Sequence, residues 1–144
     1  MTLTSMVNAA VHVAATAHEG LYDKEGIEPA ICHVMRVMVS GTTDDERVVG
    51  ALHDVVEDST MSLHTLRQHG FPAHIVNAVD AITRRHAETY AEYIQRVKAN
   101  PLATAVKVHD LRDNLARGEA YPSLEKRYRK ALAELSVAAS ERGE

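Results

Sequence analysis

The stretch Val48–Thr60, VVGALHDVVEDST, decides how the rest of the chain is read. It is strongly apolar and reads as helix, yet His53 and Asp54 stand between Leu52 and Val55, with Glu57 and Asp58 following closely. Ordinary amphipathic patterning places such groups on a wet face. Inside an apolar run they cost free energy unless something compensates them, and a bound metal ion is the obvious compensation.

Outward from this stretch the chain reads as helix after helix, with Gly and Pro as punctuation and no strand-type alternation. An apolar stripe of Val7, Ala10, Val11, Ala14 and Ala17 predicts a first helix over 4–18, stopped by Gly20. The loop GLYDKEGIEP follows, and helical periodicity returns at His33, Val34, Val37 and Met38. Thr43 with Glu46 predicts a capping box that opens the helix carrying His53, and Thr89 with Glu92 predicts another. Between them SLHTLRQHG and PAHIVNAVDAITRR read as short helices, the second opening at Pro72. Asn100 and Pro101 separate YAEYIQRVKA from LATAVKVHDLRDNLA, which Gly118 ends, and a last helix over 123–140 has a charged, solvated face. The expectation is an all-α bundle of about seven or eight helices forming a single domain over 1–144.

A chain of 144 residues can bury one substantial core without disulfides. Cys32 is the sole cysteine, which excludes an internal disulfide framework and a Cys-rich zinc finger and suits a reducing compartment. No signal peptide or membrane span is visible, so a soluble, cytoplasmic protein is expected. With 20 acidic against 16 basic residues and 4% aromatics, nothing suggests a nucleic-acid surface, while a local basic pocket for a small anion stays open. Oligomeric state is not legible.

On a continuous helix His53 would lie beside Glu57, and Asp54 beside Asp58. Asp110 and Asn114 share a face in the same way, amid Val106, Val108, Leu111 and Leu115. One helix cannot surround an ion, so ligands must converge from separate elements. His33, His53, Asp54 and Asp110 are an economical set, and two imidazoles with two carboxylates suit Mn, Fe, Co, Ni or Zn. Glu57 and Asp58 sit where acids oppose the helix dipole, which favours a role for one of them in handling the proton of an activated water. Cys32 reads as a buried thiol beside a ligand, and Arg96 as a surface residue.

Four segments, AATAHEG, DKEGIEPAICHVMRV, ALHDVVEDS and VKVHDLRDN, occur in an order that resembles the HD-superfamily hydrolase domain of the Rel/SpoT alarmone enzymes, above all its small stand-alone relatives. The resemblance runs from about Val7 to Leu115, and HDVVEDS is its specific part. It implies an all-helical HD-domain fold and a manganese-dependent enzyme of the stringent response, with other divalent metals also compatible. Such an enzyme removes the 3′-pyrophosphate of guanosine tetra- or pentaphosphate, leaving GDP or GTP. By the resemblance His33, His53, Asp54 and Asp110 are metal ligands, Glu57 and Asp58 the catalytic acidic pair, and Asn114 and Lys24 nucleotide contacts. Arg36, Arg84, Arg85, Arg96 and Lys107 are further candidate partners for phosphate. The chain departs from the family pattern at Asp23, at the extra residue Ile27, at Ala30 and around Asp110, where His109-Asp110-Leu111-Arg112-Asp113-Asn114 replaces Ala-Asp-Arg-Leu-His-Asn. The alternatives are an HD phosphohydrolase for another nucleotide and a non-catalytic nucleotide or metal sensor.

Overall fold

The computed structural model describes residues 3–118 and 122–143, with side chains from residue 5 onward. The expected domain over 1–144 includes residues 1, 2, 119–121 and 144, which lie outside the described residues. Nine α-helices are present among those described: α1 (Leu3–Ala17), α2 (Ala30–Ser40), α3 (Asp44–Leu52), α4 (Val55–Asp58), α5 (Leu63–Gln68), α6 (Ala73–Ile82), α7 (Tyr90–Lys98), α8 (Pro101–Ala116) and α9 (Pro122–Glu141). The only pairing of strand type among them is an isolated bridge between Tyr22 and Pro29.

Helix α3 is the hub. Val48, Val49, Gly50, Ala51 and Leu52 are all buried, because α1, α2, α6 and α8 surround it. That is why its second half, Val48–Leu52, is apolar all round rather than striped. Helix α8 packs on α3, α2, α6 and α7, and α9 covers it with Ala131, Leu135 and Ala138 turned inward. The expected charged face of the last helix lies outward, opposite those three residues.

Glycine at position 50 lets α2 and α3 cross closely: a Cβ there would stand 2.9 Å from Met38 Cα and 3.2 Å from Met38 N. Both contacts are with backbone, which cannot swing aside. Gly50→Ala is therefore expected to cost about 1–3 kcal/mol through overpacking, although alanine favours helix. A thermal midpoint equal to that of the unsubstituted protein would contradict the close crossing.

Several local expectations are corrected. The helix carrying His53 does not continue to Asp58: it stops at Leu52, turns at His53 and Asp54, and resumes at Val55. Here the Gly50 carbonyl accepts a hydrogen bond from His53 Nδ1 at 2.6 Å, and Asp54 adopts φ −106°, ψ 0°. This break raises the helix number above the expected seven or eight. The capping box at Thr43 is half made: Thr43 Oγ1 accepts from Glu46 N at 3.1 Å, but the Glu46 carboxylate turns to Thr42 and to His109. The box at Thr89 and Glu92 is complete. Pro72 precedes α6 as its N-cap, and α6 ends at Ile82, before Arg84 and Arg85.

Arg96 is not a surface residue. Only 23% of its side chain is exposed, and it donates to the carbonyls of Asp80 at 3.1 Å and Thr83 at 2.8 Å. Its other bonds go to both oxygens of Glu88, whose carboxyl these contacts hold down at about 2. Arg96 thus ties the end of α6 to the segment 83–89 that leads into α7.

Candidate metal centre and cleft

The turn at His53–Asp54 places two side chains at the meeting of α2, α3 and α8. His33 comes from α2 and Asp110 from α8. His33 Nε2 lies 2.8 Å from Asp110 Oδ1 and 3.9 Å from Asp54 Oδ2. His53 Nε2 lies 3.1 Å from Asp54 Oδ2 and 3.4 Å from Asp110 Oδ1. The two imidazoles meet edge to face at 5.4 Å. All four residues expected as ligands are therefore together, and the atoms of His33, His53 and Asp54 lie within 4.8 Å of one another, a grouping that can hold a metal ion.

Each imidazole is anchored through Nδ1. His53 Nδ1 donates to the Gly50 carbonyl, and His33 Nδ1 to Asp113 Oδ2 at 2.6 Å. With Nδ1 anchored, each Nε2 points at the carboxylates, the orientation a metal-binding histidine requires, and His33 Nε2 hydrogen-bonds Asp110 Oδ1 at 2.8 Å through a proton that a bound cation would displace. His53 Nε2 is buried and makes no aligned hydrogen bond, despite its nearness to two carboxylates. A divalent cation satisfies this orphaned atom together with both acids, so the residues present fit the ion.

The electrostatics agree. Burial alone would push His53 toward its neutral form, but the charge of Asp54 and the nearness of Asp110 outweigh it and hold the imidazole well above its ordinary value. Burial would raise Asp110, yet the Lys107 ammonium, 2.7 Å from Oδ2, and the two imidazoles hold it well below the usual carboxylate range. Asp54 is lowered in the same way, burial being overcome by His53. The carboxylates thus stay ionised, and positive charge is what this position attracts.

His33, Asp54 and Asp110 line a cleft of about 800 Å³, and His53 is buried next to them. Lys24 and Asn114, expected to contact a nucleotide, line the same cleft, as do Glu57 and Lys107. The Glu57 carboxylate accepts the Arg84 backbone N–H at 2.6 Å. Glu57 is exposed in the cleft, yet the protein atoms crowded around it still push its carboxyl above its ordinary value, with the Arg84 bond opposing the rise and Asp54 and Asp58 adding to it.

Asp58 is not brought to the cleft. Its carboxylate pairs instead with buried His18, Oδ2 to Nε2 at 3.3 Å, and His18 Nδ1 donates to the Ala14 carbonyl. Glu57 and Asp58 are neighbours on α4 and leave it in different directions, so the two acids that the sequence treats as one pair have different surroundings. Among the expected cations, Arg36 is taken up by Glu28 and Asp113, Arg96 by Glu88, and Arg85 by Asp80. The Arg84 guanidinium lies over the Tyr90 ring.

Sequence reasoning passed over three participants. Asp113 anchors His33, and Arg117 and Tyr128 line the cleft. Asp113 had a signal, since it lies three residues beyond Asp110 on the same helix face. Arg117, just past the end of α8, and Tyr128, on the helix whose purpose was not legible, had none.

No protein-family model matches the chain, and no curated protein matches it. Among solved structures, one described as a metazoan ortholog of SpoT that hydrolyzes ppGpp and plays a role in starvation responses matches with a TM-score of 0.74. The match covers 95% of this chain and 93% of that chain at 19% sequence identity. A likeness that extensive at so low an identity establishes architecture: the chain shares the all-α fold of that structure.

Proposed function

We propose that this protein is a metal-dependent phosphohydrolase that removes the 3′-pyrophosphate from guanosine tetra- or pentaphosphate, with His33, His53, Asp54 and Asp110 holding a manganese ion. The observation that carries the reading is the convergence of two Nδ1-anchored imidazoles and two ionised carboxylates beside a cleft that His33, Asp54 and Asp110 line together with Lys24 and Asn114. The structural neighbour's described action on ppGpp supports the choice of substrate. A cytoplasmic setting and a part in the stringent response follow from that substrate.

Bound there, a divalent cation supplies Lewis acidity, acidifying water and drawing charge from a phosphoryl group. The chain's own residues do the rest. Glu57, on the cleft wall, takes the proton of the attacking water as its oxygen bonds to phosphorus. The bond from phosphorus to the 3′ oxygen breaks, and that oxygen takes a proton from solvent to become the free 3′ hydroxyl of GDP or GTP, while Glu57 returns the proton it took to solvent. Lys107, half-buried on the cleft wall and held as a cation by Asp110 beside it, and Lys24, from the loop, offset phosphate charge. Asn114, with its amide 3.4 Å from Asp110 and its oxygen accepting from Arg117 at 2.6 Å, is oriented to meet the nucleotide. Asp58 contributes from behind α4, where its pairing with His18 holds the short helix that carries Glu57.

Manganese-loaded protein should release pyrophosphate from guanosine tetra- and pentaphosphate, and not from ordinary nucleotides or nicotinamide dinucleotide phosphates. The acids Asp23, Glu25 and Glu28 on the cleft wall give substance to a second reading, a phosphohydrolase for another nucleotide. Turnover of some other panel member in place of the alarmones would establish that reading instead. Binding without turnover of any member would leave a sensor.

A further inference from the structure

Asp113 takes no part in the reaction described, yet two parts of the site meet at it. Its Oδ2 accepts from His33 Nδ1 at 2.6 Å, and its Oδ1 accepts from Arg36 Nε at 2.8 Å. The remaining edge of the Arg36 guanidinium is gripped by Glu28, with Nη2 donating to Oε2 at 2.9 Å and Nη1 to Oε1. Arg117 doubles the connection, its Nε 3.4 Å from Asp113 Oδ2 and its Nη1 3.6 Å from Glu28 Oε2. Glu28 also closes the loop after α1: its carbonyl accepts from Asp23 N at 2.8 Å, while Asp23 Oδ1 accepts from Ile27 N at 2.9 Å. Gly26, at φ +69°, makes that closure sterically accessible. Lys24 sits inside the closed segment.

We propose that Asp113 is a positioning residue that couples the loop bearing Lys24 to His33, so that cation binding and ordering of the loop each favour the other. The proposal rests on the reading of His33 as a metal ligand. An imidazole presents Nε2 to an ion only while its other nitrogen is held, and here the holder is a carboxylate that is itself clamped by two guanidiniums. Both guanidiniums have Glu28 as a further partner, and the closed loop is what holds Glu28 there. Loop closure therefore stiffens the ligand, and a cation that fixes His33 favours the closed loop to the same degree, because such coupling is reciprocal.

The test measures Mn2+ affinity by competition with a chromogenic chelator and follows amide hydrogen exchange in residues 21–29 with and without Mn2+. In the unsubstituted protein Mn2+ should slow exchange across the loop. Asp113→Asn should weaken Mn2+ binding by about 10–100-fold and leave loop exchange indifferent to the ion. Glu28→Gln, on the cleft wall and away from the core, should keep the fold and weaken Mn2+ binding several-fold, which serves if Asp113→Asn does not fold. Mn2+ affinity equal to the unsubstituted protein's in these variants, or a loop in Asp113→Asn that still responds to the ion, overturns the coupling. Asp54→Ala separates the two layers. If it alone loses Mn2+ the metal reading stands and the coupling falls, whereas unsubstituted protein that takes up no Mn2+ overturns both.

Discussion

Asp54→Ala should abolish the stabilisation of this protein by Mn2+ and reduce hydrolysis to background. Asp54 and Asp110 are the two acids at the floor of the cleft, and each faces both imidazoles, with Asp54 Oδ2 3.1 Å from His53 Nε2 and 3.9 Å from His33 Nε2. Removing one leaves a site with two imidazoles and a single carboxylate that Lys107 already occupies at 2.7 Å. Loss of an outer hydrogen-bond partner costs roughly 10–100-fold in metal affinity, and loss of a ligand with its charge should exceed that. The readout is thermal as well as catalytic. With Mn2+ at a hundred times its dissociation constant, the unsubstituted protein should gain about 2.7 kcal/mol of stability, and the variant none. Without the ion, His53 keeps Asp110 at 3.4 Å as a neighbour, so the variant should still fold. An Asp54→Ala protein whose melting still responds to Mn2+ like the parent would remove Asp54 from the ligand set.

The all-α class was legible because helical periodicity, capping residues and Gly or Pro breaks agree along the chain, and each is a local signal. The approach of His33, His53, Asp54 and Asp110 was legible for a different reason: such groups in apolar helices need partners, and few others were available. What stayed hidden depends on contacts between distant segments. The break at His53–Asp54 is not encoded by a proline or a helix-stopping glycine. It accompanies a side-chain bond from His53 to the Gly50 carbonyl, which spacing rules that assume a continuous helix do not foresee.

Asp58 is the clearest consequence. Four residues from Asp54 in sequence, it should share that residue's face, yet it pairs with His18 of the segment after α1. Arg96 was misread because periodicity reports which way a side chain leaves its helix and not whether carbonyls from another helix end await it. Gly50 is the converse case: a glycine inside an apolar run hints at close approach, but only the crossing with Met38 identifies the neighbour.

Glu57→Gln should retain metal and fold while lowering kcat by about 10²–10⁴-fold, the usual contribution of a positioned general base. The substitution keeps the side chain's shape and its acceptor for the Arg84 N–H, so α4 and the segment after α6 should stay in register. What it removes is the capacity to take a proton at the cleft wall. Because burial and the neighbouring acids raise the Glu57 carboxyl, it is a better base than a solvated glutamate and must be ionised to act. Activity of the parent should therefore fall as pH drops through that raised value, and the residual activity of Glu57→Gln should lack this acid limb. Asp58→Asn provides the contrast, since its carboxylate faces His18 and not the cleft. It should lower the thermal midpoint and disturb turnover only through the placement of α4, keeping the acid limb. If Asp58→Asn loses the limb and Glu57→Gln keeps it, the assignment of the base is reversed. The proton would then pass to an acid that turns into the cleft only when substrate is bound.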